Sequence, residues 1–190
     1  VVQHGFVQTV VQLSPIPGPT LVATAGLSLD ANSGQVIAAQ GLDEQVEPAS
    51  LTKLMTAYLV FDALEKGRLS LDQTVLISEN AWRTEGSRMF VEPNTQVSVN
   101  DLLQGVIVQS GNDATVALAE AVAGSEEAFV TLMNEEAARQ GLTKTHFENA
   151  SGLPGATHLT SVRDLGTLAQ NLVQRFPQHL HYYGQKEFEY

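Results

Sequence analysis

The stretch Pro48-Ala-Ser-Leu-Thr-Lys-Leu-Met-Thr56 places a hydroxyl, Ser50, and an amine, Lys53, three residues apart. Apolar residues recur at helical spacing from Leu51 onward and Gly67 follows them, which predicts an amphipathic helix beginning near Ser50. Residues i and i+3 share a helix face, so both side chains should point to one side. A serine becomes a good nucleophile when a base takes its proton, and a desolvated lysine can be that base. A helix-capping serine followed by a solvated lysine fits the same pattern.

A second polar element interrupts an apolar helical run further along the chain. Ser110-Gly111-Asn112 separates a predicted helix over 102–109, capped by Asn100 or Asp101, from another over 112–123. Serine and asparagine between two apolar helices need water or partners, which indicates a site. A simple helix–helix turn is the alternative interpretation.

The remaining elements define a fold class. A hairpin, a short strand and then helices are predicted in this order: strands over 24–30, 35–40 and 75–77, a loop with a short strand after residue 86, and helices over 126–140 and 162–173, the last capped by Thr160. Strands followed by a block of helices predict an α/β (α+β) protein with helices packed on an antiparallel sheet.

Composition limits the classes of function. The chain has 190 residues, is 43% hydrophobic and can bury a core, which predicts one domain over 24–190 preceded by an extension, 1–23. Its net charge of −11 argues against nucleic acid or an anionic membrane as a partner. No apolar run is long enough to span a bilayer. Without cysteines, disulfides and thiolate metal sites are excluded.

Other candidate groups are weaker. Gly86 and Ser87 lie in a loop beside a site or in an ordinary turn. His146 or His158 could pair with Asp164 and a serine, but a G-x-S-x-G motif is absent. His179-Leu-His181 lacks the further ligands of a metal centre. We therefore predict neither a metal nor a cofactor.

Three segments together resemble the D-alanyl-D-alanine carboxypeptidases, which are low-molecular-mass penicillin-binding proteins. They are PASLTKLMTAY from residue 48, VQSGNDA from residue 108 and T-H-F-x-N-x-x-G-L from residue 145. The resemblance implies a penicillin-binding-protein/β-lactamase-like transpeptidase fold. It also implies that Ser50 is the acylated nucleophile, Lys53 its general base and Ser110 a proton shuttle, with Asn112 binding substrate. Gly86 and Ser87, in the loop noted above, are further candidates for binding substrate.

The same resemblance implies a function and a location. The expected activity is removal of the terminal D-alanine from peptidoglycan stem peptides, with penicillins acylating the same serine, in the periplasm or at the outer face of the inner membrane. An endopeptidase or β-lactamase relative, or a non-catalytic peptidoglycan- or partner-binding fragment, remains an alternative.

One family motif, K-T-G, does not occur in the sequence; Lys144-Thr145-His146 lacks the glycine. We therefore expect this chain to be the N-terminal portion of the catalytic domain, with the strands that carry K-T-G missing from it. A second chain could supply them. On this view residues 1–190 alone would be inactive and prone to associate.

Overall fold

The structure, a computed structural model, describes residues 22–190, so the predicted extended segment at 1–13 and nearly all of the predicted extension lie outside it. Four strands and six α-helices follow in chain order. They are β1 (Gly26–Leu29), β2 (Val36–Gln40), α1 (Lys53–Glu65), β3 (Thr74–Leu76), α2 (Glu79–Arg83), β4 (Gln96–Ser98), α3 (Val99–Ile107), α4 (Asn112–Ala123), α5 (Glu126–Arg139) and α6 (Val162–Arg175). Two 3-10 helices, Ala49–Thr52 and Pro177–Gly184, precede α1 and follow α6.

The strands form two small antiparallel sheets. β1 pairs with β2, with a register irregularity between Ser28 and Leu29, and β3 pairs with β4. The predicted hairpin is confirmed, and Asp30 closes it by accepting the Ser33 backbone N–H at 2.7 Å. The strand expected after residue 86 begins only at Gln96.

Helix α1 is the centre of the core, contacting α3, α4, α5 and α6. Met55, Val60 and Phe61 have no exposed surface. The prediction of an amphipathic helix was wrong here, because neighbours cover α1 on nearly every side. Leu51 is 53% exposed, since Ala49–Thr52 form a 3-10 helix whose rotation per residue differs from that of α1.

Two predicted helix caps were also wrong. Ser98, not Asn100 or Asp101, caps α3 by accepting the Asp101 backbone N–H at 3.0 Å. Ser161, not Thr160, caps α6 in the same way through Asp164. In both cases the serine sits in extended backbone just before the helix, where its hydroxyl reaches a free N–H group.

The interruption of the helical run at residues 110–111 is confirmed. α3 ends at Ile107, and α4 begins at Asn112 after Gly111 and ends at the left-handed Gly124. The chain is therefore a mixed α/β protein in which a helical block surrounds α1, and the breaks before α1 and α4 lie beside one cleft.

Candidate active site

Ser50, Lys53 and Ser110 line one open cleft of about 500 Å³, between the start of α1 and the end of α3. Ser50 is exposed, whereas Lys53 is only 6% exposed. Leu54, Val106 and Tyr183 supply apolar walls. An accessible serine and a desolvated lysine thus line the same cleft, on the shared side that the i, i+3 spacing predicts.

Two neutral groups hold the Lys53 ammonium. Its Nζ donates to Asn112 Oδ1 at 2.7 Å and to the Ser151 carbonyl at 2.8 Å. Burial lowers the pKa of Lys53 to about 8 from the usual 10.5. Since neither acceptor carries a charge, no ion pair offsets the cost of desolvation, and the neutral amine forms far more readily near neutral pH than in a solvated lysine.

Asn112 begins α4, and backbone carbonyls of the preceding loop hold it in place. Its Nδ2 donates to the Glu85 carbonyl at 2.6 Å, and its backbone N–H donates to the Ser87 carbonyl at 2.7 Å. Gly86 has φ +92°, and a Cβ there would lie 2.5 Å from Asn112 Nδ2. Gly86 and Ser87 therefore contact Asn112 through the backbone, and they do not line the cleft.

The backbone around the cleft is strained. Ala49, just before Ser50, has φ +47°, and Ser110 has φ +55°. The Ser110 hydroxyl oxygen is buried and has no hydrogen-bond partner among residues 22–190. Left-handed non-glycine residues and unpaired buried hydroxyls cost free energy, and they concentrate at functional sites.

The loop that supplies the Ser151 carbonyl received no role in the sequence analysis. Asn149 Oδ1 accepts the backbone N–H groups of Gly152 at 2.7 Å and Leu153 at 3.1 Å, which shapes the turn. Gly152 has φ +97°, and a Cβ there would lie 1.9 Å from the Ala49 carbonyl oxygen. Asn149 and Gly152 are the asparagine and glycine of the T-H-F-x-N-x-x-G-L segment quoted above, and this turn signal could have indicated that the loop serves the site.

Hydrogen bonds of Thr52 and Thr56 connect that loop to the start of α1, and the buried His158 is one of the partners. Thr56 Oγ1 donates to the Ala150 carbonyl at 2.7 Å. His158 Nδ1 accepts the Glu148 backbone N–H at 2.9 Å, so its proton resides on Nε2, which lies 2.8 Å from Thr52 Oγ1. Burial lowers the pKa of His158, which keeps the ring neutral.

The weaker candidates have other partners. Asp164 accepts the Lys144 backbone N–H at 2.8 Å and the Thr145 hydroxyl at 2.7 Å, while His158 contacts Thr52. His179 stacks on Phe61 with ring centroids 4.5 Å apart. Among residues 22–190, no group of three or more metal-ligating side chains is clustered, and no helix is long and apolar enough to cross a membrane.

The fold matches that of solved penicillin-binding proteins. Penicillin binding protein 5 from Haemophilus influenzae superposes with a TM-score of 0.88 at 39% identity, covering 92% of this chain and 52% of that one. The carboxypeptidase DacD from Francisella tularensis superposes with a TM-score of 0.85 at 42% identity, covering 87% and 40%. The predicted fold class is confirmed.

Residues 12–190 match the family model described as D-alanyl-D-alanine carboxypeptidase. The carboxypeptidase DacC of Escherichia coli is 41% identical over 181 residues, which cover 92% of this chain and 45% of that protein. The chain belongs to the D-alanyl-D-alanine carboxypeptidase family. It spans less than half the length of the curated relative just described, and no comparison supports a second chain as the source of K-T-G.

Proposed function

We propose that this chain carries the serine acyl-transfer machinery of a D-alanyl-D-alanine carboxypeptidase that trims peptidoglycan stem peptides. The observation that supports this most directly is the buried amine of Lys53, which has two neutral acceptors and lies in the same cleft as the exposed Ser50. Such an amine can lose its proton near neutral pH, as a general base must. Ordinary solvated lysines stay charged there.

In the acylation step, Ser50 Oγ attacks the carbonyl carbon of the D-alanyl-D-alanine bond, and its proton passes to Lys53 Nζ. The Ser50 backbone N–H, at the start of the helix, donates to the developing oxyanion. Collapse breaks the C–N bond, and the leaving amine receives a proton through Ser110, whose hydroxyl has no partner among residues 22–190. D-alanine departs, and the remaining peptide stays as an ester on Ser50.

In the second step, water adds to the ester carbonyl, giving its proton to neutral Lys53. The ester C–O bond breaks, Ser50 recovers its proton, and the shortened stem peptide leaves with a free carboxylate. A penicillin would form the corresponding ester by opening its lactam ring, so its leaving amine would stay attached to the acyl group. Asn112 holds Lys53 in place and, in this proposal, also contacts the substrate amide. Gly86 and Ser87 contribute by supporting Asn112.

A fluorescent penicillin tests the nucleophile. A protein that includes the expected K-T-G segment should be labelled covalently, the adduct should map to Ser50 by mass spectrometry, and its Ser50→Ala variant should show none. Ser70→Ala, which alters another exposed serine, should label normally. An adduct on Ser50→Ala would refute the assignment of the nucleophile.

Product analysis then separates the candidate activities. D-alanine release from a stem pentapeptide supports the carboxypeptidase, cleavage of a cross-linked dimer supports an endopeptidase, and rapid penicillin turnover supports a β-lactamase relative. Reversible muropeptide binding without labelling would support a binding module instead. Since the proposed substrate is a cell-wall polymer, we also propose a location in the cell envelope, on the periplasmic side of the inner membrane.

A further inference from the structure

Phe90 is an exposed aromatic residue held in an unfavourable backbone conformation. Its side chain is 78% exposed and its φ is +65°, while Met89 and Val91 on either side are buried. A bulky residue rarely adopts a positive φ. Because the ring is exposed, it adds no buried apolar surface to stabilise the fold. The positive φ costs stability, and strained residues of this kind concentrate at functional sites.

A buried carboxylate fixes Phe90 in this position. Asp113, 1% exposed, accepts the Met89 backbone N–H at 3.0 Å through Oδ1 and the Val91 backbone N–H at 3.1 Å through Oδ2. The two bonds flank Phe90 and fix the backbone on both sides of it. Asp113 directly follows Asn112, so the first turn of α4 positions both the active-site lysine and this aromatic ring.

The ring forms one wall of a shallow groove of about 190 Å³. Trp82, 41% exposed, is a second aromatic residue in the groove, and Arg88 and Glu92 line it as well. Arg88 uses its Nε to donate to the Thr84 carbonyl at 2.8 Å, and its terminal nitrogens make no bond within residues 22–190. The groove is smaller than typical drug-sized pockets, so it suits one ring and not an entire ligand.

We propose that this groove binds a sugar ring of the peptidoglycan glycan strand. Aromatic faces suit the apolar C–H face of a pyranose. A cation and an anion together suit hydroxyl and N-acetyl groups, which both donate and accept, whereas Glu92 would repel an anionic ligand. The polymer's identity rests on the proposed function, but sugar binding itself does not require acylation.

The test uses the Ser50→Ala protein, so that no covalent chemistry intervenes, and a tetramer of β-1,4-linked N-acetylglucosamine as the probe. Trp82 is the single tryptophan of the 190 residues, so its emission reports directly on the groove. We expect the tryptophan emission to change saturably as the tetramer is added. Trp82→Phe should show no such change, because the chain then has no tryptophan. Absence of any saturable change would overturn the proposal.

Variants of Phe90 separate binding from folding. Phe90→Gly should weaken sugar binding about tenfold. It should not lower the thermal midpoint, because glycine accepts a positive φ. Leu76→Ala, at a residue that is 61% exposed and outside this groove, is the matched control and should bind normally. Unchanged sugar binding in Phe90→Gly would refute the proposal.

A last comparison identifies the part of the polymer that is bound. A stem peptide without sugar should leave Trp82 emission unchanged, and an equal response to it would refute the sugar assignment. If penicillin labelling fails but sugar binding persists, the proposed catalysis is wrong and the groove assignment stands. If penicillin labels Ser50 but no sugar binds, only the groove assignment is wrong.

Discussion

Lys53 Nζ and Asn112 Oδ1 lie 2.7 Å apart, joining the first residue of α1 to the first residue of α4. Asn112 accepts from the lysine without adding a charge, so burial still lowers the Lys53 pKa to about 8. An aspartate in this place would make an ion pair and keep the amine protonated. The choice of an amide at position 112 therefore fits a lysine that must act as a base.

The pKa of Lys53 predicts how acylation depends on pH. The neutral amine is the active form, so the rate of penicillin acylation should rise with pH up to about 8 and level off above it. Lys53→Arg should be almost inactive at every pH, because arginine keeps its proton. Stopped-flow measurements of acylation from pH 6 to 10 test this. A Lys53→Arg protein with a near-normal rate would reduce Lys53 to an electrostatic role.

Two variants of Asn112 should have different effects. Asn112→Ala should slow acylation by about 10²-fold, because a positioned polar contact at the reacting centre is lost. Asn112→Asp should in addition move the rise of the pH profile upward, since the new carboxylate favours protonated Lys53. The measurement is the acylation rate against pH for each variant. Identical pH profiles for Asn112→Asp and the unaltered protein would contradict this account.

Gly152→Ala should disrupt the turn that precedes Ser50. Its Cβ would lie 1.9 Å from the Ala49 carbonyl oxygen, and its φ is +97°. We expect the free energy of unfolding to fall by about 3 kcal/mol and acylation to slow by at least about tenfold. Gly67→Ala, with φ +67° but open space, is the matched control and should cost about 1 kcal/mol with normal acylation. Denaturant unfolding measures the free energy of unfolding of both variants. If both lose the same amount, the contact with Ala49 is unimportant.

His158 should make stability depend on pH. Its folded pKa lies below the ordinary 6.5 because it is buried. As pH falls below about 6.5 the unfolded chain binds a proton that the folded protein resists, so the free energy of unfolding should fall. His158→Gln should reduce this slope and lower stability at pH 7 by about 1–3 kcal/mol, because the Glu148 N–H loses its acceptor.

The control for His158 is the exposed His146→Gln, which should keep both the slope and the stability. Urea unfolding between pH 7 and pH 5 gives the free energy for each protein. Equal slopes in His158→Gln and the unaltered protein would show that His158 does not titrate as proposed.

Local signals predicted much of the fold. The hairpin around Asp30, the interruption at residues 110–111 and the glycine that follows α1 agree with the sequence analysis, since turn and cap chemistry acts within a few residues. The caps at Ser98 and Ser161 were misplaced by one to three residues, because several residues with capping side chains stand side by side. The amphipathic character of α1 was wrong because exposure depends on neighbours that are distant in sequence.

For the candidate site too, the sequence predicted the local part, and only the structure revealed the rest. Spacing alone places Ser50 and Lys53 on one side of the chain, because helical geometry is local. The sequence could not show that Ser151 and His158 approach α1, because they contact residues about a hundred positions away through a loop without regular structure. The roles of Gly86 and Ser87 as supports of Asn112 also emerge only from the packing of that loop on α4.

The sequence by itself determined the family, the fold class and the pairing of a hydroxyl with an amine, since these follow from residue identity and short-range spacing. Tertiary structure decided that the amine is buried, that its partners are the uncharged Asn112 and Ser151, and that Ser110 lines the same cleft. The physical reason is desolvation: the pKa of a lysine depends on how much water its neighbours exclude, and only packing brings those neighbours together.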